Sequence, residues 1–147
     1  MEYQEADNKI KEIIVSEMSD KLQQIVDFLY NSFDNYSWIG IYIVDGDDLI
    51  LGPWNGLEAT EHIKIPIGKG ICGSAAATGK TEVIPDVNDD DRYLSCFLST
   101  KSEIVVPIKK DGKIIAEIDI DSDKRDAFTK EDEEFLEKVA DMLAEHI

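Results

Sequence analysis

The chain has 147 residues, of which 32 are acidic and 15 basic, for a formal net charge of −17. That charge repels phosphate backbones and anionic lipid surfaces, so neither nucleic acid nor membrane is expected as a partner. The length suits one domain spanning 1–147, and the opening M-E-Y-Q-E-A-D-N-K lacks a signal-peptide pattern, so a soluble cytoplasmic protein is expected.

From about Ala6 to Phe33, apolar residues including Ile10, Ile13, Ile14, Met18, Leu22, Ile25, Val26 and Leu29 recur at helical spacing. The segment predicts helix in two pieces, with Ser19-Asp20 as the cap that restarts it. Ile10, Ile13 and Ile14 exceed what a small sheet need cover, and a homodimer across this helix is one use for them. Trp38 to Val44 predicts a strand, and Asp45-Gly46 a turn into Leu49-Ile50-Leu51. The stretch G-P-W-N-G-L-E-A-T reads as a loop, with a short strand from Glu61 to Ile65. Small residues after a glycine-rich entry predict a short helix from Ile71 to Thr78. Its G-K-G-I-C-G matches a dinucleotide fingerprint in spacing only, since no βαβ unit surrounds it.

Glu82 to Ile84 predicts a brief strand stopped by Pro85, and N-D-D-D-R a solvated loop. Glu103 to Lys109 and Lys113 to Asp121 predict a hairpin turning at Lys110-Asp111-Gly112. Thr129 with Asp132 forms a capping-box pattern ahead of Phe135, Leu136, Val139, Ala140, Leu143 and Ile147. The fold class is α+β, with a central antiparallel sheet and the N- and C-terminal helices packed on one side of it.

Two features bear on chemistry. In the second strand of the last hairpin, Ile114, Ala116, Ile118 and Ile120 alternate with Ile115, Glu117, Asp119 and Asp121, so that Asp119 and Asp121 point the same way. Charged groups flanked by isoleucines either face water or hold a cation. An ammonium group suits them better than a metal, because an all-oxygen set with no nearby histidine lacks calcium-loop spacing. The second feature is Cys96, in a polar loop ahead of Glu103: a thiol that attacks an electrophilic centre, with a carboxyl group in the role of general acid. The other cysteine is Cys72. The histidines, His62 and His146, do not sit in hydrolase settings, which tilts the chemistry from acyl transfer toward redox.

The runs W-I-G-I-Y, L-I-L-G-P-W, I-P-I-G-K-G-I-C-G-S-A, S-E-I-V-V-P-I and I-D-I-D-S, in this order, resemble the GAF-domain free methionine-(R)-sulfoxide reductases. The resemblance implies a cofactor-free oxidoreductase acting on free methionine sulfoxide, with thioredoxin or a similar thiol as reductant. It assigns Cys96 as nucleophile, Glu103 as the carboxyl group at the sulfoxide oxygen, and Asp119 with Asp121 as the pair that binds the amino group. Trp38, Tyr42 and Trp54 match or neighbour aromatic positions around the methionine side chain. Three positions depart from the pattern. His62 stands where the family commonly has a first cysteine, which leaves resolution to Cys72 or an external thiol. Phe97 follows Cys96 where an acidic residue is usual, and Ala116-Glu117 replaces a glycine and an apolar residue. The alternative expectation is a non-catalytic GAF module that senses a small molecule or an oxidant.

Overall fold

Alternation of apolar and polar residues at period two makes strands with two different faces, and here both faces are buried. The computed structural model describes residues 1–16, 20–94 and 99–147. Its elements are α1 (Tyr3–Val15), α2 (Lys21–Ser32), β1 (Trp38–Asp45), β2 (Asp48–Gly56), β3 (Lys64–Pro66), α3 (Gly70–Thr78), β4 (Glu82–Ile84), β5 (Ser102–Lys110), β6 (Lys113–Ser122) and α4 (Lys130–Ala144). A short 3₁₀ turn at Val87–Asp89 follows β4. The strands form one six-stranded sheet in the order β3-β2-β1-β6-β5-β4, and the pairings are antiparallel.

One face of the sheet carries Ile39, Ile41, Ile104, Val106, Ile108, Ala116, Ile118 and Ile120 against α1, α2 and α4. The side-by-side placement of the terminal helices agrees with the expected α+β architecture. Tyr3, Phe33, Tyr36, Phe128 and Phe135 join the three helices through ring contacts of 4.8–5.9 Å. Ile10 and Ile13 are buried within this core, and Ile14 is partly buried against it. Thr129 and Asp132 close the capping box on α4, and Asp132 also accepts a 2.7 Å hydrogen bond from the Tyr36 hydroxyl.

Several boundaries differ from the sequence expectations for identifiable reasons. The N-terminal helix does break near residue 20, but the Asp20 backbone is left-handed at φ 56° and its side chain makes no capping bond; Met18 and Ser19 lie outside the described residues. The G-P-W-N-G run is strand, not loop, because β2 continues to Gly56 along β1. The β1–β2 register slips between Gly40 and Tyr42, and Pro53, which has no N–H to give, falls at this irregularity. The strand expected from Glu61 shortens to Lys64–Pro66, leaving His62 in a connection whose carbonyl accepts a 2.7 Å bond from the Tyr42 hydroxyl. The acidic loop after β4 is organised rather than merely solvated: Arg92 bridges Glu82 at 2.9 Å and Asp90 at 2.8 Å, and Arg125 reaches Asp86 at 3.0 Å. The last hairpin turns on Asp111 at φ 53° and Gly112 at φ 76°, the left-handed pair that suits a two-residue turn.

The opposite face of the sheet packs against α3, whose small residues let the helix lie close. The closest approach is at Gly73. A Cβ there would lie 2.6 Å from the Pro66 carbonyl oxygen and 3.0 Å from the Gly68 nitrogen, both backbone atoms that cannot rotate away. The Gly68 N–H also donates to the Gly73 carbonyl at 2.8 Å, tying β3 to the helix that carries Cys72. Gly73→Ala is therefore expected to destabilise the fold by about 1–3 kcal/mol. A lower urea midpoint with an unchanged m-value reports it, and an unchanged midpoint contradicts the close packing.

Candidate functional site

Four carboxyl groups stand on the α3 face of the β5–β6 hairpin. Glu117, Asp119 and Asp121 alternate along β6, and Glu103 of β5 pairs directly across from Asp121. Period-two geometry places them on one face, and α3 covers that face with Cys72. None of them reaches solvent to a useful degree: Glu117 is 0%, Asp121 3%, Asp119 4% and Glu103 5% exposed. The sequence left open whether Asp119 and Asp121 face water or hold a cation, and burial removes the first option.

The Cys72 sulfur, a Glu103 oxygen and an Asp119 oxygen all lie within 4.8 Å of one another. The donor set is thus not all oxygen, as the strand alone suggested, because α3 adds a thiol. Oδ1 of both Asp119 and Asp121 is buried with no hydrogen-bond partner among the described residues, and the fully buried Glu117 has the Cys72 thiol as its hydrogen-bonding neighbour. Thr100 supports Asp121, and the charge of His62 acts on Asp119.

Electrostatics follow from burial. Desolvation pushes the Glu103 carboxyl well above its usual range, and the charges of Asp119 and Asp121 push it further. Glu117 is raised well above normal by burial and then by Asp119. Asp121 is raised well above normal and Asp119 is raised, in both cases by burial first, with the Glu103 hydrogen bond working in the opposite direction. Burial and the charges of Asp119, Glu117 and Glu103 likewise lift the Cys72 thiol. Without a cation the site therefore favours holding protons, and the carboxyl of Glu103, hydrogen-bonded to both aspartates, is biased toward its protonated form. Because like charges this close cannot all ionise, an arriving cation displaces protons from the cluster.

A cavity of about 160 Å³ opens beside the cluster, lined by Ser37, Trp38, Leu57, Glu58, Ser99, Thr100, Asp121 and Asp123. It is well below the roughly 300–1,000 Å³ of drug-sized sites, which suits a molecule of amino-acid size. Trp38 thus lines the cavity, and Trp54 stacks on it with centroids 6.2 Å apart. Tyr42 is buried on the same face, its hydroxyl committed to the His62 carbonyl. Cys96 and Phe97 lie outside the described residues. Sequence reasoning missed Thr100, for which T-K-S-E offers no signal, and saw Glu117 on the acidic face without a task.

The raised carboxyl groups carry a stability consequence. The unfolded chain loses these protons near pH 4 whereas the folded chain retains them, so their stabilising contribution is present in acid and is lost as pH rises toward the folded-state values. Ligand-free protein is thus expected to lose stability over the range above about pH 4, where the unfolded carboxyls have ionised and the folded ones resist it. Glu117→Val, which conserves volume, is expected to raise stability by about 1–3 kcal/mol and to flatten this decline. Thermal unfolding across that range checks both, and a variant less stable at the alkaline end contradicts the cost assigned to Glu117.

Comparison with known proteins agrees with this geometry. The GAF domain family model matches residues 17–147. The free methionine-R-sulfoxide reductase of Escherichia coli is 37% identical over 115 residues, covering 78% of this chain and 68% of that protein. The free methionine-R-sulfoxide reductase of Saccharomyces cerevisiae is 44% identical over 111 residues, covering 73% of this chain and 61% of that protein. Among solved structures, the free methionine-R-sulfoxide reductase from Neisseria meningitidis in complex with its substrate superposes with a TM-score of 0.90 at 32% identity, covering 97% of this chain and 86% of that one. A buried acidic face under a GAF fold, together with these relatives, places the chain in the GAF-domain free methionine-R-sulfoxide reductase family of oxidoreductases.

Proposed function

We propose that this chain reduces free methionine-(R)-sulfoxide, with Cys96 as nucleophile, Cys72 as resolving thiol and a dithiol protein of the thioredoxin type as reductant. The observation that carries the substrate reading is the buried cluster of Glu103, Asp119 and Asp121 beside an amino-acid-sized cavity. Two aspartates with unsatisfied buried oxygens offer an ammonium group charge-assisted hydrogen bonds. A methionine sulfoxide within a peptide chain has no such ammonium and leaves the same oxygens unpaired, so the site discriminates against it.

The chemistry proceeds in three balanced steps. The Cys96 thiolate attacks the sulfoxide sulfur while Glu103 donates its proton to the oxygen. The hydroxyl so formed passes to the Cys96 sulfur as the sulfur–oxygen bond of the substrate and the transient sulfur–sulfur bond both break, so methionine leaves and Cys96 becomes a sulfenic acid. The Cys72 sulfur then displaces that hydroxyl as water and forms a Cys72–Cys96 disulfide. An external dithiol reduces the disulfide by exchange and is itself oxidised. The upward push on the Glu103 carboxyl from burial and neighbouring charge supports its part in the first step. Two residues shape the substrate's surroundings: Trp38 walls the cavity, and Trp54 backs it.

The reading is tested with the separated epimers of free methionine sulfoxide and a thioredoxin or dithiothreitol system. Turnover of the R epimer is expected, falling to background in Cys96→Ser and by about 10²-fold or more in Glu103→Gln. Asp121→Asn is expected to raise KM about tenfold or more, given about 1.5–3 kcal/mol for a hydrogen bond to a charged group. Equal rates in wild type and Cys96→Ser would sink the reductase assignment, while tight binding of the amino acid without turnover is what a sensor module gives. Equal rates on the N-acetylated substrate would remove the ammonium assignment.

Resolution is read separately. Mass spectrometry after one equivalent of substrate or oxidant is expected to find a Cys72–Cys96 link in wild type and a persistent sulfenic acid in Cys72→Ser. A sulfenic acid that persists in wild type assigns resolution to an external thiol instead.

A further inference from the structure

Glu117 has no task in the reaction above, and its burial demands one. Two aspartates suffice for an ammonium group, and Glu103 for a proton, yet a third acidic side chain of β6 is fully buried, with the Cys72 thiol as its hydrogen-bonding neighbour. It stands one step along the same face from Asp119, and the Cys72 thiol feels its charge. We propose that Cys72, Glu103, Asp119 and Glu117 form a site for one divalent cation of intermediate softness, such as Zn²⁺, Fe²⁺ or Co²⁺.

Ligand type and spacing support the choice. The Cys72 sulfur and the Glu103 and Asp119 oxygens lie within 4.8 Å of one another. Neighbouring ligands in a tetrahedral shell with bonds of about 2.0–2.3 Å stand roughly 3.3–3.8 Å apart, a change within reach of side-chain rotation. A thiolate in the set favours these ions over Mg²⁺ and Ca²⁺, which seek oxygen alone. Glu117, a hydrogen-bonding neighbour of the Cys72 thiol, is in place to supply a fourth donor, and Oδ1 of Asp119, buried with no partner among the described residues, is the independent sign that the face is built for something positively charged. Sharing Glu103 and Asp119 makes the ion and an amino-acid substrate mutually exclusive occupants. The proposal stands on the geometry around Cys72 and does not require the reductase reading.

Titration of Co²⁺ alone into the reduced protein, in wild type and in Cys96→Ser, tests it through the near-ultraviolet thiolate-to-cobalt charge-transfer band. A saturable band at one ion per chain is expected in both proteins, with no competition from Mg²⁺ at equal concentration. Glu117→Gln, which keeps the shape of the neutral acid, is expected to weaken binding about tenfold or more. In wild type, bound Co²⁺ is also expected to protect Cys72 from alkylation, located by peptide mass, so a poorly folded variant does not decide the matter. Absence of the band in Cys96→Ser, displacement by Mg²⁺, unchanged affinity in Glu117→Gln or unprotected Cys72 each overturns the site. Turnover is not the readout: a band in an inactive protein leaves this site standing and the reductase reading refuted, and an active protein without a band does the reverse.

Discussion

Four acidic side chains buried on one face of a hairpin are the constraint around which this molecule is arranged. Burying an unpaired carboxylate is prohibitive, so burial biases Glu103, Glu117, Asp119 and Asp121 toward their protonated forms until something cationic arrives. That cost is borne by the other face of the same strands. Isoleucine and valine of β5 and β6 meet three helices there, in a core closed by an aromatic cluster and by Asp132, which joins a helix cap to Tyr36. From Ala116 onward the alternation of β6 thus divides the labour, with Ala116, Ile118 and Ile120 in the helix-side core and Glu117, Asp119 and Asp121 on the site face.

Much of this was legible from the residues. The Asp111-Gly112 turn, the Thr129–Asp132 cap and the period-two pattern of β6 are local signals, each set by neighbours within a few positions, and each appears where the pattern places it. The course of β2 through Gly52, Pro53 and Gly56 was not legible, because it depends on a register slip in its partner β1, a relation between distant segments. Alternation also showed which way Asp119 and Asp121 point but not what lies above them. Whether an acidic face meets water or a helix is decided by α3, whose composition of glycine and alanine says only that it packs closely.

The addition of Cys72 to the carboxylate cluster is likewise a product of tertiary packing. In sequence it belongs to a glycine-rich entry that resembles a phosphate loop in spacing alone. In the fold those glycines serve contact, with Gly73 pressed against the backbone of Pro66 and Gly68 so that the helix can lower its thiol onto Glu103 and Asp119. A motif that reads as ligand chemistry is here steric in purpose, and the chemistry sits on the residue beside it.

The sheet's margins have a consequence of their own. Its outermost strands, Lys64–Pro66 on one side and Glu82–Ile84 on the other, are three residues each and abut Pro66 and Pro85. Unpaired backbone at the rim of a sheet invites a foreign strand to add on, and a rim this short, interrupted by proline, offers few donors to template one. The chain therefore confines its unsatisfied polar groups to the interior, where a small ligand can reach them, and keeps them off the border, where another protein would.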